Sequence, residues 1–182
     1  MRLFASVDCG GLADGIAGVQ ESLSGLSGLR LTDPTQAHVT MAFLGEGDHD
    51  LDAVSAALET AVEAADVGPF ELTLEGVGAF PSEEYIRVVW LGVGRGSAAL
   101  SALQRRIETE TTALGYDAAA HEFSPHVTLA RMDDASSKGE VRRFLRETDP
   151  DLGTIRVEEL RLKESALTDD GPEYRTVGRF QL

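Results

Sequence analysis

Residues 38–42 read His-Val-Thr-Met-Ala and residues 126–130 read His-Val-Thr-Leu-Ala, so four of the five positions are identical. The two pentapeptides fall at matching places in the two halves of a chain of 182 residues. Each is interpreted as a β-strand, in which alternate side chains point to opposite faces. The repeat predicts two similar lobes, related by a pseudo-two-fold axis, that present the same strand to a shared cleft.

The polar face of each predicted strand carries a histidine and a threonine. Alternation places His38 with Thr40 on one face, and His126 with Thr128 on the corresponding face of the second strand. With an imidazole pKa of about 6.5, one histidine can be neutral while the other is charged near neutral pH. Such a pair suits a phosphodiester, because one ring takes a proton from the nucleophile and the other protonates the leaving oxygen. The threonine hydroxyls can donate to the non-bridging phosphate oxygens.

Two interpretations of the repeat follow from the residues alone. The first is a catalytic pair formed by His38 and His126. The second is a duplicated packing motif, in which both histidines are structural. The residues by themselves leave this choice open.

The hydrophobic pattern around the motifs predicts a chain of mixed α and β structure in one domain, residues 1–182. Alternating apolar residues indicate strands, and apolar residues at helical spacing indicate amphipathic helices. The Gly-Ala-Phe-Pro sequence at 78–81 is expected to end the strand that begins at Phe70, and Ser97 is expected to cap a helix. The predicted strands are 3–7, 30–32, 38–44, 70–74, 85–93, 126–130, 155–162 and 174–182, and the predicted helices are 12–26, 51–65, 100–114 and 141–145.

The charge of the chain is strongly negative, with a formal net value of -15. Only two of its 16 basic residues are lysines, Lys138 and Lys163. An acidic surface with little lysine favours a protein from a high-salt, haloarchaeon-like cytoplasm, and an ordinary acidic protein is the alternative. The negative charge argues against binding of long duplex nucleic acid, which depends on basic patches, but it is compatible with a small site for one phosphate.

Several classes of protein and site are not supported by the sequence. The single cysteine, Cys9, excludes a disulfide framework and a cysteine-rich zinc site, and it is expected to be at least half-buried. His121-Glu122 begins like a zincin motif, but the next histidine is at i+5 and Pro125 breaks any helix there. The chain has no P-loop lysine, no apolar run of about 18 residues and no signal-peptide core. We therefore expect a cytoplasmic protein with no metal, no cofactor and no membrane partner.

In this context the chain resembles the 2H phosphoesterases, and in particular the bacterial and archaeal RNA 2',3'-cyclic phosphodiesterases, also called 2'-5' RNA ligases. The resemblance covers nearly the whole chain. It runs from residues 1–8 through His38–Gly45, residues 78–81 and Pro125–Arg131 to the closing strand. Paired His-x-Thr (HxTx) motifs in this setting are specific to the family.

The resemblance implies an α+β, bilobal fold with two antiparallel sheets and flanking helices around a central cleft. It also implies hydrolysis of an RNA 2',3'-cyclic phosphate to a 2'-phosphate without a metal. His126 would be the proton acceptor that activates water, and His38 the proton donor to the 3' oxygen. In the reverse reaction, 2'-5' RNA ligation, the two roles would exchange. The expected partners are RNA 3' ends, such as those of tRNA halves, or 2',3'-cyclic nucleotides, and we expect a monomer.

The family also places a phosphate or ribose contact at Arg131. Strand alternation puts Arg131 on the face opposite the histidine, so it reaches the cleft only if the strand ends or bulges near Ala130. Two placements are considered for Phe43: it borders the site or, as the same alternation favours, it belongs to the core. Ser124 and Leu31 depart from the basic and aromatic residues that are common in the family at these places. Two other functions remain as alternatives: a nucleotide- or RNA-end-binding module without catalysis, and a 2'-5' oligonucleotide phosphodiesterase.

Overall fold

The computed structural model describes all 182 residues, which form nine strands and four α-helices. Short 3-10 turns precede and follow the first helix and precede the third strand. No helix has both the length and the apolar character needed to cross a membrane. The strands are β1 (Arg2–Asp8), β2 (Leu29–Leu31), β3 (His38–Glu46), β4 (Phe70–Pro81), β5 (Ile86–Val93), β6 (His126–Met132), β7 (Asp151–Val157), β8 (Glu159–Thr168) and β9 (Gly171–Gln181), and the helices are α1 (Ala13–Gln20), α2 (Leu51–Ala65), α3 (Ser97–Ala113) and α4 (Lys138–Glu147).

All strands join one antiparallel sheet, in the order β7-β4-β5-β6-β3-β1-β8-β9, with β2 paired to β6. The two motif strands, β3 and β6, are neighbours at its centre, and a single residue pair, Val39 with Val127, links them. Because this link is so short, the sheet divides there into two lobes. The predicted α+β class, with antiparallel strands and flanking helices in each lobe, is confirmed.

We call these parts the His38 lobe and the His126 lobe. The His38 lobe contains β3, β1, β8 and β9, and α2 packs against α3 behind β3 and β9. The His126 lobe contains β6, β5, β4 and β7, with β2 at its edge and α4 behind β4. The lobes do not coincide with the two halves of the chain, because the C-terminal hairpin β8–β9 pairs with the N-terminal strand β1.

The hydrophobic core lies between the sheet and the helices. In β1, Leu3, Ala5 and Val7 are almost completely buried on the helix side, where Leu160 and Leu162 of β8 join them. These side chains follow the period of two that an antiparallel strand imposes. The opposite face of the sheet, which we call the cleft face, carries the polar residues of the motifs on β3 and β6.

Two of the predicted strands are wrong in extent. The segment 155–162 contains the end of β7 and the beginning of β8, and these two strands lie in different lobes of the sheet. The buried residues Val157 and Leu160 are three positions apart, a spacing that one straight strand cannot place on one face. Residues 78–81 do not break strand β4 but form its last part, because Gly76, at φ +70°, absorbs a bulge and the strand then resumes.

The helix predictions differ from the structure mainly at the ends. Helix α1 is shorter than the predicted 12–26, because 3-10 turns replace its two ends. Ser97 is the first residue of α3, and Gly96, at φ +92°, is the N-cap. The Ser97 hydroxyl donates to the carbonyl oxygens of Val93 and Gly94, so it ties the helix to β5. Helix α2 spans the predicted residues 51–65.

Candidate active site

The two motif strands carry the predicted site residues on the cleft face of the sheet. His38 and Thr40 are half-buried, and the valine between them is completely buried on the helix side. His126 and Thr128 are likewise half-buried, with a buried valine between them. The structure therefore brings all four polar side chains to the same face, at the seam between the two lobes.

The register between the two strands determines which motif residues are closest. The link between β3 and β6 is formed by the central valines of the two motifs. In an antiparallel ladder, the residues that flank such a pair face each other in reverse order. That register sets His38 across from Thr128 and His126 across from Thr40. Each histidine thus has the threonine of the other motif as its cross-strand neighbour.

Each imidazole is held by a hydrogen bond to a carbonyl oxygen two residues earlier. Nδ1 of His38 lies 2.9 Å from the carbonyl oxygen of Gln36, and Nδ1 of His126 lies 2.7 Å from that of Ser124. Because a carbonyl oxygen can only accept, Nδ1 of both rings donates and carries the proton. Nε2 is consequently the atom that accepts a proton in the neutral ring and gives one up in the charged ring.

Aromatic rings from β1 and β9 enclose His38. The centroid of its ring lies 5.1 Å from that of Phe4 and 5.2 Å from that of Tyr174, which meets it edge-on. Tyr174 is anchored in turn, because its backbone N–H donates to the side-chain oxygen of Gln36 at 3.1 Å. The residue that orients the His38 ring through its carbonyl therefore also positions the aromatic wall beside it.

A second pair of aromatic rings, from β4 and β5, encloses His126. The His126 centroid lies 4.8 Å from that of Phe80 and 6.2 Å from that of Trp90. Gly78 makes this packing feasible, because a Cβ atom there would lie 2.2 Å from the Trp90 indole. The Gly-Ala-Phe-Pro sequence is thus part of the cleft wall. The sequence does not predict a site role for any of the four aromatic residues, because strand pairing alone brings them to the histidines.

The pKa values of both histidines are lowered from the ordinary imidazole value. Burial is the main cause for His38, and the hydrogen bond to Gln36 and the carboxylate of Asp8 oppose it. The cation of Lys163 lowers this pKa further. Burial is also the main cause for His126, where the hydrogen bond from the ring to the backbone opposes it and the cation of Arg131 adds to it.

A one-residue bulge in each motif strand changes which side chains reach the cleft face. The pairing of β3 with β1 skips Met41, and the pairing of β6 with β5 skips Leu129, the equivalent residue. A bulge shifts the alternation of faces by one residue. Phe43 and Arg131, which occupy equivalent positions after the two bulges, are therefore exposed, while their strand neighbours remain in the core.

The consequences differ for the two predictions that depended on alternation. The assignment of Phe43 to the core is wrong, because this ring is 72% exposed and its centroid lies 6.4 Å from that of Phe4. Arg131 was expected to reach the cleft only if the strand ends or bulges near Ala130, and the strand does bulge there, at Leu129. Burial raises the pKa of Tyr174 and lowers that of His126; the cation of Arg131 opposes the first shift and adds to the second, so Arg131 is close to a residue of each lobe.

A cluster of charged residues lies beside His38, and the sequence did not predict it. Asp8 pairs with His38 in the β1–β3 register, and its carboxylate forms ion pairs with Lys163, at 2.5 Å, and with Arg161. Lys163 is only 6% exposed. A buried charge is tolerated only with a partner, so Asp8 holds this lysine next to the histidine. An acidic residue at the end of β1 and alternating basic residues in β8 were the available signal.

The structure gives no support to the zinc and thiol sites that the sequence argues against. His121 and Glu122 are exposed in the loop between α3 and β6, not on a helix. Burial raises the pKa of the Cys9 thiol to about 12, which leaves it unreactive. Nowhere do three histidine, cysteine, aspartate or glutamate side chains group so that they could hold a metal ion.

Comparison with known proteins identifies the family of this chain. The family model of the 2'-5' RNA ligase superfamily matches residues 19–167. The chain belongs to this superfamily. Its similar relatives include the RNA 2',3'-cyclic phosphodiesterase of Aeropyrum pernix, which is 35% identical over 150 residues, 82% of this chain and 84% of that protein. The RNA 2',3'-cyclic phosphodiesterase of Archaeoglobus fulgidus is 33% identical over 185 residues and covers 100% of both chains.

Solved structures similar to this superfamily member share its fold over the full chain. TT0787 of Thermus thermophilus superposes with a TM-score of 0.79 at 25% identity and covers 100% of this chain and 98% of that one. E. coli LigT complexed with 3'-AMP superposes with a TM-score of 0.76 at 25% identity, covering 100% and 97%. The curled antiparallel sheet is therefore common to these proteins.

Proposed function

We propose that this superfamily member hydrolyses RNA 2',3'-cyclic phosphate ends to 2'-phosphates by acid–base catalysis with His38 and His126 and without a metal. The observation that carries the proposal is the matched geometry of the two rings. Each donates Nδ1–H to a backbone carbonyl and so has Nε2 available for proton transfer. The relatives named RNA 2',3'-cyclic phosphodiesterase support the choice of substrate.

The proposed reaction needs one water molecule and no other reactant. Nε2 of His126 takes a proton from water while the water oxygen attacks phosphorus. The bond from phosphorus to the 3' oxygen breaks, and Nε2 of protonated His38 supplies the proton that makes the 3' hydroxyl. The product keeps the phosphate on the 2' oxygen. His126 then releases its proton to solvent, and His38 takes one up.

The cation beside His126 supports this division of roles. At His38, the cation of Lys163 lowers the pKa and the carboxylate of Asp8, a smaller contribution, raises it, so only the carboxylate favours the charged, proton-donating form. The guanidinium of Arg131 acts on His126 and favours its neutral, proton-accepting form. If the 5' hydroxyl of a second RNA replaced water as the nucleophile, His126 would take its proton, His38 would protonate the leaving 3' oxygen, and 2'-5' RNA ligation would result. The two groups would exchange roles only in the reverse of that step, in which the 3' hydroxyl attacks a 2'-5' linkage and the 5' oxygen leaves.

Thr40, Thr128 and Arg131 are proposed to hold the phosphate. The two hydroxyls lie on the cleft face across from the catalytic rings, where they can donate to the non-bridging oxygens. Arg131 is exposed and close to His126, and a guanidinium matches the paired oxygens of a phosphate. Charge accumulates on these oxygens as water attacks, so donors placed there stabilise the transition state.

The test is incubation of the purified protein with a 2',3'-cyclic mononucleotide in excess EDTA, followed by separation of the 2'- and 3'-phosphate isomers. We expect only the 2'-phosphate, at the same rate with and without EDTA. A 3'-phosphate product, or activity that EDTA removes and added metal restores, would contradict the mechanism. Binding of a nucleoside 2'-phosphate, with no turnover of the 2',3'-cyclic nucleotide, would favour a binding module without catalysis. A parallel assay with a 2'-5' linked dinucleotide separates the cyclic phosphodiesterase from a 2'-5' oligonucleotide phosphodiesterase.

We also propose that the whole chain acts as one monomeric unit in a cytoplasm of high salt content, on ends such as those of tRNA halves. One sheet passes through both lobes, and the net charge of -15 favours a solvated, non-associating surface. Light scattering after gel filtration measures the mass, and thermal melting in low and molar KCl measures the salt dependence. A dimer, or a melting temperature that salt does not raise, would contradict this proposal.

A further inference from the structure

The 16 basic residues divide into two equal sets. Eight form ion pairs with carboxylates within 4.0 Å. The other eight have no carboxylate partner at that distance, although the chain has 31 acidic residues. These unpaired cations are Arg87, Arg105, Arg106, Arg131, Lys138, Arg142, Arg143 and Arg146.

Half of the unpaired cations lie on α4. Lys138, Arg142 and Arg146 are spaced by four residues, so they form a stripe along one side of the helix. Val141 and Phe144 are buried on another side and attach the helix to the sheet. The stripe is therefore fixed on the outer surface of the His126 lobe. It gives a locally basic surface to a chain that is otherwise strongly acidic.

The basic stripe continues onto the turn between β4 and β5. The ammonium group of Lys138 contacts the carbonyl oxygen of Glu84 in this turn. Tyr85, the next residue, is 59% exposed, and the guanidinium carbon of Arg87 lies 5.3 Å from the centroid of its ring. The Glu84 carboxylate lies near Lys138 and Arg142 but outside ion-pair distance, so it reduces the positive charge of the stripe without cancelling it.

The same hairpin leads from this turn into the catalytic cleft. Phe80 of β4 and Trp90 of β5 pack on His126. Val88, next to Arg87, pairs with Arg131 in the β5–β6 register. A row of unpaired cations therefore runs from Arg131 in the cleft, past Arg87 and Tyr85 at the turn, to the stripe on α4.

We propose that this row is the binding track for the single-stranded RNA that precedes the cyclic phosphate. Arginines and lysines along a groove neutralise successive backbone phosphates, and an exposed aromatic ring provides a stacking surface that accepts any base. An RNA chain whose 3' end sits at the histidines would leave the cleft past Arg131 and Arg87, with a base on Tyr85 and phosphates along α4. This inference rests on the proposed function, because it needs the cyclic end at the two histidines.

The test compares two double variants that remove the same charge from different places. Arg142→Gln/Arg146→Gln removes two of the three charges of the stripe on α4. Arg105→Gln/Arg106→Gln is the matched control, since these cations are also unpaired but lie on α3, behind the His38 lobe. The kinetic constants are measured at one fixed salt concentration, because added salt screens such contacts. The substrates are a 2',3'-cyclic mononucleotide and a single-stranded RNA of about ten nucleotides that ends in a 2',3'-cyclic phosphate.

We expect the α4 variant to raise the KM for the oligonucleotide about tenfold, the scale expected for the loss of phosphate contacts. Its KM for the mononucleotide, which is too short to reach α4, should change less than about twofold. The α3 variant should leave both constants unchanged. An unchanged oligonucleotide KM in the α4 variant, or an equal increase in the α3 variant, would overturn the proposal.

Tyr85 provides an independent arm of the test. Tyr85→Ala should raise the oligonucleotide KM several-fold through loss of stacking, whereas Tyr85→Phe should not. If the wild-type protein turns over neither substrate, the proposed function fails. The binding track is then tested by the fluorescence anisotropy of a labelled single-stranded RNA with a 2'-phosphate end, which measures binding alone. The proposal requires that the α4 variant bind this RNA more weakly than the α3 variant does.

Discussion

The two motif strands have nearly the same sequence but different surroundings. His38 packs between Phe4 and Tyr174 and lies near the ion-paired Asp8. His126 packs between Phe80 and Trp90 and lies near Arg131. Both rings have the same hydrogen bond and the same kind of aromatic wall, whereas a carboxylate and a lysine cation act on His38 and only an arginine cation acts on His126.

This difference shows how a duplicated strand can acquire two distinct roles. The features that both motifs share, the tautomer and the orientation of the ring, come from the local backbone. The features that differ, the nearby charges, come from strands that are distant in sequence. In the proposed mechanism, the acid and the base are therefore distinguished by their neighbours, although the motifs themselves are almost identical.

The largest expected effect is the loss of either ring. His38→Ala and His126→Ala should each lower kcat by about 10²–10⁴-fold, the usual contribution of general acid–base catalysis. The kcat/KM of the wild-type enzyme should rise with pH as His126 loses its proton and fall as His38 loses its own. Because burial lowers both pKa values, both limbs should lie on the acid side of the ordinary imidazole range. The pH profiles measured for each variant decide the roles.

In these profiles, residual activity of His126→Ala should lack the acid limb, and residual activity of His38→Ala should lack the alkaline limb. Circular dichroism at matched salt checks that both variants fold. The reverse loss of limbs would exchange the two roles. Full activity in either variant would reject the catalytic pair and favour structural histidines.

The next effect compares the two residues that the bulges bring to the cleft face. Arg131→Gln should raise the KM for a 2',3'-cyclic mononucleotide about tenfold or more, because a charge-assisted contact to phosphate is lost. It should also move the acid limb to higher pH, since Arg131 lowers the pKa of His126. Phe43→Leu, at the equivalent position in β3, serves as the control and should not move this limb. An equal change in both variants would contradict the assigned difference.

A smaller effect is expected from the wall of the His126 lobe alone. Gly78→Ala would place a Cβ atom 2.2 Å from the indole of Trp90, so Trp90 and the His126 ring must move. We expect kcat to fall about tenfold, because misplacement of a catalytic group by about 1 Å can cost 10²-fold. Gly18→Ala in α1 is the matched control, since its Cβ would meet nothing within 4 Å. Equal kcat values in the two variants would show that the Trp90 contact does not position His126.

The smallest effect is a shift of one limb of the pH profile in the His38 lobe. The Asp8 carboxylate raises the pKa of His38, so Asp8→Asn should lower it. The alkaline limb, which follows the loss of the His38 proton, should then move to lower pH while the acid limb stays in place. Loss of a charged partner for the buried Lys163 should also lower the melting temperature. A shift of the acid limb only would contradict the placement of Asp8 beside the proton donor.

The sequence predicted the elements of the site better than their surroundings. Alternation in a short strand was sufficient to place His38 with Thr40 and His126 with Thr128, since only neighbouring residues determine it. It failed a few residues later, at Phe43, because the bulge at Met41 depends on the pairing with β1. It also failed at residues 155–162, which the topology divides between the edge strand β7 and strand β8 in the other lobe.

The amino-acid sequence by itself determined the strand character of both motifs, the shared face of each histidine and threonine, and the acidic surface. These properties depend on residue type and on spacing of one or two residues. Only the tertiary structure decided that the two motifs are neighbours, that Arg131 reaches the cleft, and that Asp8 and Tyr174 belong to His38. Strand order and register set these contacts, and both depend on residues that are distant in the chain.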